Sequence, residues 1–194
     1  AIAEERGGLL ARQFENEATP AYHRQSTTAE ILRDFAGRPL DHFVTGWGTG
    51  GTLTGVSAVL RAARPEKSIV VAEPAGAPLL GGGPWAPHRI QGWTPDFLPA
   101  VLDRDACDVL LTVGDDEAID AARRMATHEG ILVGISAGAT VAAAVKAAAS
   151  ARPGASILAM LPDTGERYFS TPLFSDIGDG SDDAWLAELE GGAR

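Results

Sequence analysis

The chain has 194 residues, 45% of them hydrophobic, and a formal net charge of −10, which suits one folded soluble domain and leaves no basic surface for a nucleic-acid backbone or an anionic membrane. No apolar run approaches the roughly 18 residues that a bilayer crossing requires, and the opening Ala1-Ile2-Ala3-Glu4-Glu5-Arg6 has no signal-peptide core. The single cysteine, Cys107, excludes an internal disulfide and agrees with a cytoplasmic location.

In chain order, Thr27 with Glu30 forms a capping box for a helix over Ala29 to Phe35, which Gly37 ends. A strand follows at His42 to Thr45, then a glycine-rich turn, then a helix from Leu53 to Ala63. The β-branched run Ser68 to Ala72 reads as a second strand stopped by Glu73-Pro74. From Ala75 to Asp108 the chain is rich in Gly, Pro and Trp and has neither period, a composition found in functional or disordered segments. Val109 to Val113 is a strand, and Asp115-Asp116-Glu117 opens a helix to His128, its carboxylates complementing the helix dipole, with Gly130 as the stop. Ser136 reads as the N-cap of an Ala-rich, buried helix through Ala149, and Ser156 to Leu161 is the last strand. After Phe174 the chain turns acidic and Gly-rich and closes on a short amphipathic piece around Trp185 and Leu189. Strands alternating with helices predict an α/β fold, a three-layer open sheet with largely parallel strands.

Three motifs carry chemistry. Gly46-Trp47-Gly48-Thr49-Gly50-Gly51-Thr52 lies between a strand and a helix, where backbone N–H groups and the helix dipole hold phosphate. It also satisfies G-x-G-x-x-G, with Glu73 about twenty residues on, as a dinucleotide site requires. A tight turn without ligand is the plain alternative. The hydroxyls of Thr49 and Thr52 favour a terminal phosphate, which offers several acceptor oxygens.

Gly134-Ile135-Ser136-Ala137-Gly138 satisfies the G-x-S-x-G of hydrolases. All four histidines, His23, His42, His88 and His128, precede it, so the chain order of a hydrolase triad is not met, and a helix cap is the alternative role. Leu161 to Tyr168 collects polar groups after the last strand, where ligands of open α/β sheets bind, or forms a structural turn. Cys107 reads as a packed or surface thiol.

Taken in order, Gln13-Phe14-Glu15-Asn16, Gly48 to Thr52, Glu73-Pro74, Pro87 to Gly92, Gly134 to Gly138 and Gly165-Glu166-Arg167-Tyr168 resemble the C-terminal portion of the cysteine synthase (O-acetylserine sulfhydrylase) and cystathionine β-synthase family. The resemblance runs from Gln13 to Phe174. It implies the larger domain of a fold-type-II pyridoxal 5'-phosphate enzyme over residues 16–175, with 1–15 a remnant of a smaller domain and 176–194 an acidic tail or surface helix. It implies that Gly48, Thr49, Gly50, Gly51 and Thr52 cup the cofactor phosphate, that Ser136 faces the pyridine nitrogen, and that Gly165 to Tyr168 lie near the ring. Gln13 resembles a substrate-carboxylate ligand, and Gln91 and Gly92 the loop bordering the active site, although Trp93-Thr94-Pro95 departs from the smaller residues of several members. No metal is implied.

The implied reaction is β-replacement: O-acetylserine loses acetate and sulfide adds to give cysteine. The family's Schiff-base lysine and its Ser-Gly-Asn-Thr-Gly loop have no counterpart, since Lys67 and Lys146 stand in unrelated contexts. The expectation is therefore a truncated chain without activity of its own, whose intact parent forms a homodimer and docks serine acetyltransferase. Alternatives are a cystathionine β-synthase-like lyase, a non-catalytic module that binds a phosphate ligand or a partner, and a nicotinamide-dependent oxidoreductase.

Overall fold

The computed structural model describes residues 2–175, 177 and 182–191. Its sheet has four parallel strands in the order β3-β2-β1-β4, where β1 is His42–Gly46, β2 Ser68–Pro74, β3 Val109–Val113 and β4 Ile157–Ala159. The helices are α1 (Ile2–Glu5), α2 (Ala18–Gln25), α3 (Thr27–Asp34), α4 (Gly51–Ala63), α5 (Asp115–Glu129), α6 (Ile135–Ser150) and α7 (Asp182–Gly191).

Alternation along the strands builds two cores. Val44, Val70 and Ala72 pack with Ala118 and Ile119 of α5 and Ile135, Ala139 and Ala143 of α6. Phe43, Ile69 and Val71 point the other way, onto Ile31 of α3 and Leu53, Val56 and Leu60 of α4. The result is the expected three-layer α/β architecture. Ile69 to Ala72 lose essentially all exposure, which is why the central strand reads as an unbroken apolar run and not an alternation. Each large side chain buried this completely contributes about 1.5–3 kcal/mol.

The segment from Ala75 to Asp108 is folded without regular elements beyond one 3-10 turn at Arg104–Ala106, and it buries Ile90, Trp93, Val101 and Leu102. Glu73, fully buried at the end of β2, accepts hydrogen bonds from the amides of Leu80 (2.9 Å) and Gly81 (3.0 Å). Burial raises its pKa, and those two amides oppose the rise. The Trp85 indole donates to the Thr94 carbonyl at 3.0 Å. Side chains thus supply partners that regular structure does not.

Four differences from the sequence expectation have physical causes. Helix α2 was not expected because Ala18 to Gln25 has no apolar period; its signals are the Asn16 carboxamide, which accepts from the Ala18 amide at 2.9 Å, and Pro20 in the first turn. Helix α3 is capped at Ser26, not by Thr27, because only Ser26 separates it from α2; the Ser26 hydroxyl donates to Glu30 at 3.2 Å. Ser136 is not the N-cap of α6: Gly134 occupies that position, and an acceptor comes from outside the helix. Strand β4 ends at Ala159, two residues short of the expected Leu161. The amphipathic piece around Trp185 and Leu189 is α7, whereas most of the acidic stretch from Asp176 to Asp183 lies outside the described residues.

Candidate active site

Strand order reverses between β1 and β4, and a cavity of about 340 Å³ opens at the carboxyl ends of these two strands. This is the crevice in which open α/β sheets bind ligands. Thr45 and Gly46 line it from β1, Met160, Pro162 and Asp163 from the chain after β4, and Gly48, Thr49 and Thr52 from the turn into α4. Gln91, Gly92 and Trp93 close one side, Ser136 and Tyr168 another.

The turn into α4 is shaped by close approach. A side chain on Gly48 would run into the carbonyl oxygen of Gly92, so glycine there lets the turn and the 91–93 loop meet. Gly50 has φ of +87°, a left-handed conformation that favours glycine, and so brings the chain into the first turn of α4. The Thr49 hydroxyl accepts from the Gly51 amide at 3.3 Å. Helix geometry leaves the first amides of α4 without intrahelical acceptors, and the positive end of its dipole adjoins the cavity. Gly50 and Gly51 support this turn from behind and do not line the cavity wall.

On the opposite wall, Ser136 is 5% exposed, and its hydroxyl makes no hydrogen bond to any described residue. Its amide and that of Ala137 donate to the Asp163 carboxylate at 3.1 and 2.7 Å, and the Tyr168 hydroxyl donates to the same group at 2.6 Å. Asp163 is therefore the cap of α6 in space, though it lies 27 residues beyond Ser136. Burial and then the Asp163 carboxylate hold the Tyr168 phenol well above its ordinary pKa, so it stays protonated. The segment Leu161 to Tyr168 stands out in the sequence, but the part Asp163 plays does not. The capless Gly134 was its available signal, because a helix without a capping side chain needs an acceptor from elsewhere. Within that segment Gly165 is buried, whereas Glu166 and Arg167 are exposed and do not line the cavity.

The structure brings Gly48, Thr49, Thr52, Gln91, Gly92 and Ser136 to one cavity, and it leaves Gln13 exposed and outside the lining. Gln13 stands beside Phe14, whose ring packs edge-on against Phe97 at 5.1 Å. The dinucleotide alternative fails at Glu73: its carboxylate is buried and engaged by the 80–81 amides, so it is not free for a ribose. Neither lysine lines the cavity. Lys146 bonds to the Thr112 carbonyl and to Glu117, both at 2.8 Å, while the Lys67 ammonium is buried ahead of β2 with no partner among the described residues. Burial raises the Cys107 thiol pKa, as for an inert packed thiol.

The family model described as "Pyridoxal-phosphate dependent enzyme" matches residues 1–163. The chain belongs to the pyridoxal-phosphate dependent enzyme family. It is 57% identical over 192 residues to an O-ureido-L-serine synthase of Streptomyces lavendulae, covering 99% of this chain and 59% of that protein. A cysteine synthase of Staphylococcus aureus strain Mu50 is 44% identical over 174 residues, covering 90% of this chain and 56% of the relative. Among solved structures, an O-ureido-L-serine synthase superposes with a TM-score of 0.91 at 58% identity over 96% of this chain and 59% of that one. The O-acetylserine sulfhydrylase isoform 3 of Entamoeba histolytica gives 0.85 at 32% identity, over 97% and 56%. The chain thus spans less than two thirds of the length of these relatives.

The residues present fit this family's cofactor. The turn that Gly48 keeps against Gly92 leaves a cradle at the amino end of α4, as a phosphate requires, and Ser136 presents an unengaged hydroxyl across the same cavity. Among the described residues no group of His, Cys, Asp or Glu is arranged to hold a metal ion, and no helix is long and apolar enough to cross a membrane.

Proposed function

We propose that this chain is the cofactor-holding part of a synthase that replaces the β-substituent of an activated serine. The observation that carries this reading is the convergence of the Gly48–Thr52 turn and Ser136 on one cavity at the sheet's switch point. Pyridoxal 5'-phosphate, when bound, supplies the electron sink for breaking and making bonds at the serine β-carbon.

The chain's own residues then have distinct tasks. The Gly48–Thr52 turn binds the phosphate through backbone amides and the hydroxyls of Thr49 and Thr52. Ser136 offers its hydroxyl to the ring nitrogen as a neutral hydrogen-bond donor, so no added carboxylate stabilises a protonated ring there. The charge of Asp163 is directed to the α6 amides and Tyr168, which keeps Ser136 in place. Gln91 and Gly92 border the substrate, and Trp93 narrows the space beside Gly46. The lysine such a reaction needs comes from outside the residues lining this cavity, because Lys67 and Lys146 are both elsewhere.

The identity to the Streptomyces protein favours an oxygen nucleophile. A product named O-ureido-L-serine joins the serine β-carbon to an oxygen on a urea nitrogen, and the nucleophile we propose for this chain is accordingly hydroxyurea, displacing acetate from O-acetylserine. Sulfide, giving cysteine, is the second reading, favoured by the staphylococcal relative. The test is a chimaera carrying the amino-terminal portion of that cysteine synthase ahead of Ala1, assayed with O-acetyl-L-serine and either nucleophile. Turnover with hydroxyurea above that of the staphylococcal enzyme is expected; cofactor binding without turnover of either nucleophile sinks the β-replacement reading. Homodimerisation and docking of serine acetyltransferase, which the resemblance implies, belong to the same proposal, and sedimentation of the chimaera with and without the acetyltransferase tests both.

A further inference from the structure

We infer that His23 is a positioning residue for phosphate binding, one that donates to the Thr52 hydroxyl and thereby turns that hydroxyl's own proton toward the cavity. The inference rests on the reading of the Gly48–Thr52 turn as a phosphate site.

The geometry begins with helix packing. A side chain on Gly55 of α4 would meet the Cβ of His23 at 2.7 Å, so α2 lies directly against α4. That approach brings His23 Nε2 to 3.1 Å from Thr52 Oγ1, and His23 Nδ1 to 2.9 Å from Thr27 Oγ1 at the start of α3. The His23 carbonyl accepts from the Thr28 hydroxyl at 2.8 Å, which fixes the turn between α2 and α3. Burial lowers the pKa of His23, so the ring is neutral near pH 7 and exactly one of its nitrogens carries a proton.

The two neutral tautomers have opposite consequences for an anion. With the proton on Nδ1, Nε2 must accept the Thr52 proton, leaving only oxygen lone pairs to face a phosphate. The Thr27 O–H then also has no acceptor among the described residues. With the proton on Nε2, one polarity runs through the whole chain: Thr27 donates to Nδ1, Nε2 donates to Thr52, and Thr52 donates into the cavity it lines. Only this second arrangement satisfies all three hydrogen atoms and presents a donor to a phosphate oxygen. His23 acts through Thr52 and touches no ligand itself, and its place on α2 ties that helix to the phosphate turn.

The experiment uses the whole chain with 15N-labelled histidine and inorganic phosphate as probe. Long-range 1H–15N spectra of the phosphate-bound protein are expected to show His23 protonated at Nε2; an Nδ1-protonated ring overturns the inference. Calorimetric titration then compares His23→Leu, which removes the donor, with His23→Gln, whose amide restores one. Leu is expected to weaken phosphate binding by about fivefold and Gln by less than about twofold, since the neutral bond that orients the Thr52 hydroxyl is lost in the first case only. If Leu binds phosphate as tightly as wild type, the positioning role is wrong while the phosphate site stands. If wild type shows no phosphate binding, both fall together. Should the Leu variant fail to fold, the wild-type tautomer still decides.

Discussion

Replacing Asp163 by Ala removes the acceptor of three hydrogen bonds at once: the Ser136 and Ala137 amides at 3.1 and 2.7 Å and the Tyr168 hydroxyl at 2.6 Å. At roughly 1.5–3 kcal/mol for each bond to a charged acceptor, the upper limit is about 9 kcal/mol. The cavity admits water, which re-satisfies the freed amides, so the expected loss is about 3 kcal/mol. For a chain of this size that is a fall of roughly 6–12 °C in Tm. Asp163→Asn keeps an acceptor but loses the charge that complements the α6 dipole, and an intermediate loss is expected.

A second signature separates this cap from a generic packing defect. Burial, then Asp163, holds the Tyr168 phenol above its unfolded pKa near ~10. The corresponding stability is therefore complete below about pH 10 and is lost as pH rises through the folded value. In Asp163→Asn the phenol titrates at lower pH and the window of lost stability narrows. The chain has two tyrosines, so absorbance titration in a Tyr22→Phe background reports Tyr168 alone. A Tm within about 2 °C of wild type for Asp163→Ala, together with an unchanged Tyr168 titration, refutes the reasoning.

Because Ser136 is not the N-cap and its hydroxyl is unengaged, Ser136→Ala leaves stability within about 0.5 kcal/mol of wild type, whereas Ser136→Asp sets a second carboxylate beside Asp163 and lowers both Tm and cofactor affinity. Thermal melts and pyridoxal-phosphate titration check this ranking; an Asp variant as stable as wild type removes Ser136 from the vicinity of Asp163. Lys67 is 5% exposed, and its ammonium, which has no hydrogen-bond partner among the described residues, has its pKa lowered by burial, so it opposes folding below its unfolded value and less so as pH rises between the folded and unfolded values. Lys67→Met is expected to stabilise the chain by about 1 kcal/mol in urea unfolding. Borohydride reduction of the wild-type chain with stoichiometric pyridoxal phosphate is expected to label neither lysine selectively.

The sheet was legible because its signals are local. Ser68 to Ala72 is a β-branched run bounded by Pro74, and it is buried on both faces as such a run demands. The helix after Asp115 announces itself by its acidic first turn and the glycine that ends it. The Gly48–Thr52 turn was legible for the same reason, since positive φ and close approach leave few residues to choose from. Helix α2 was illegible because it is held by packing onto Gly51 and Gly55 of α4 and not by an apolar stripe of its own. Intrinsic pattern carries little information where tertiary contact decides.

The cavity wall around Ser136 shows where a motif misleads. Gly-x-Ser-x-Gly at a helix start suggests that the serine is the cap, because serine is a favoured capping residue. The helix begins two residues earlier than that cap would place it, at Ile135, and Gly134 has no side chain with which to cap it. Four amides at a helix start need acceptors whichever residue stands there, and a glycine cap transfers that need to another part of the chain. Here it falls to Asp163, four residues beyond the end of β4, and the consequence is chemical as well as structural. With capping supplied from the segment after β4, the Ser136 hydroxyl is left without a partner among the described residues on the cavity wall, where a serine that capped its own helix could not offer it to a ligand.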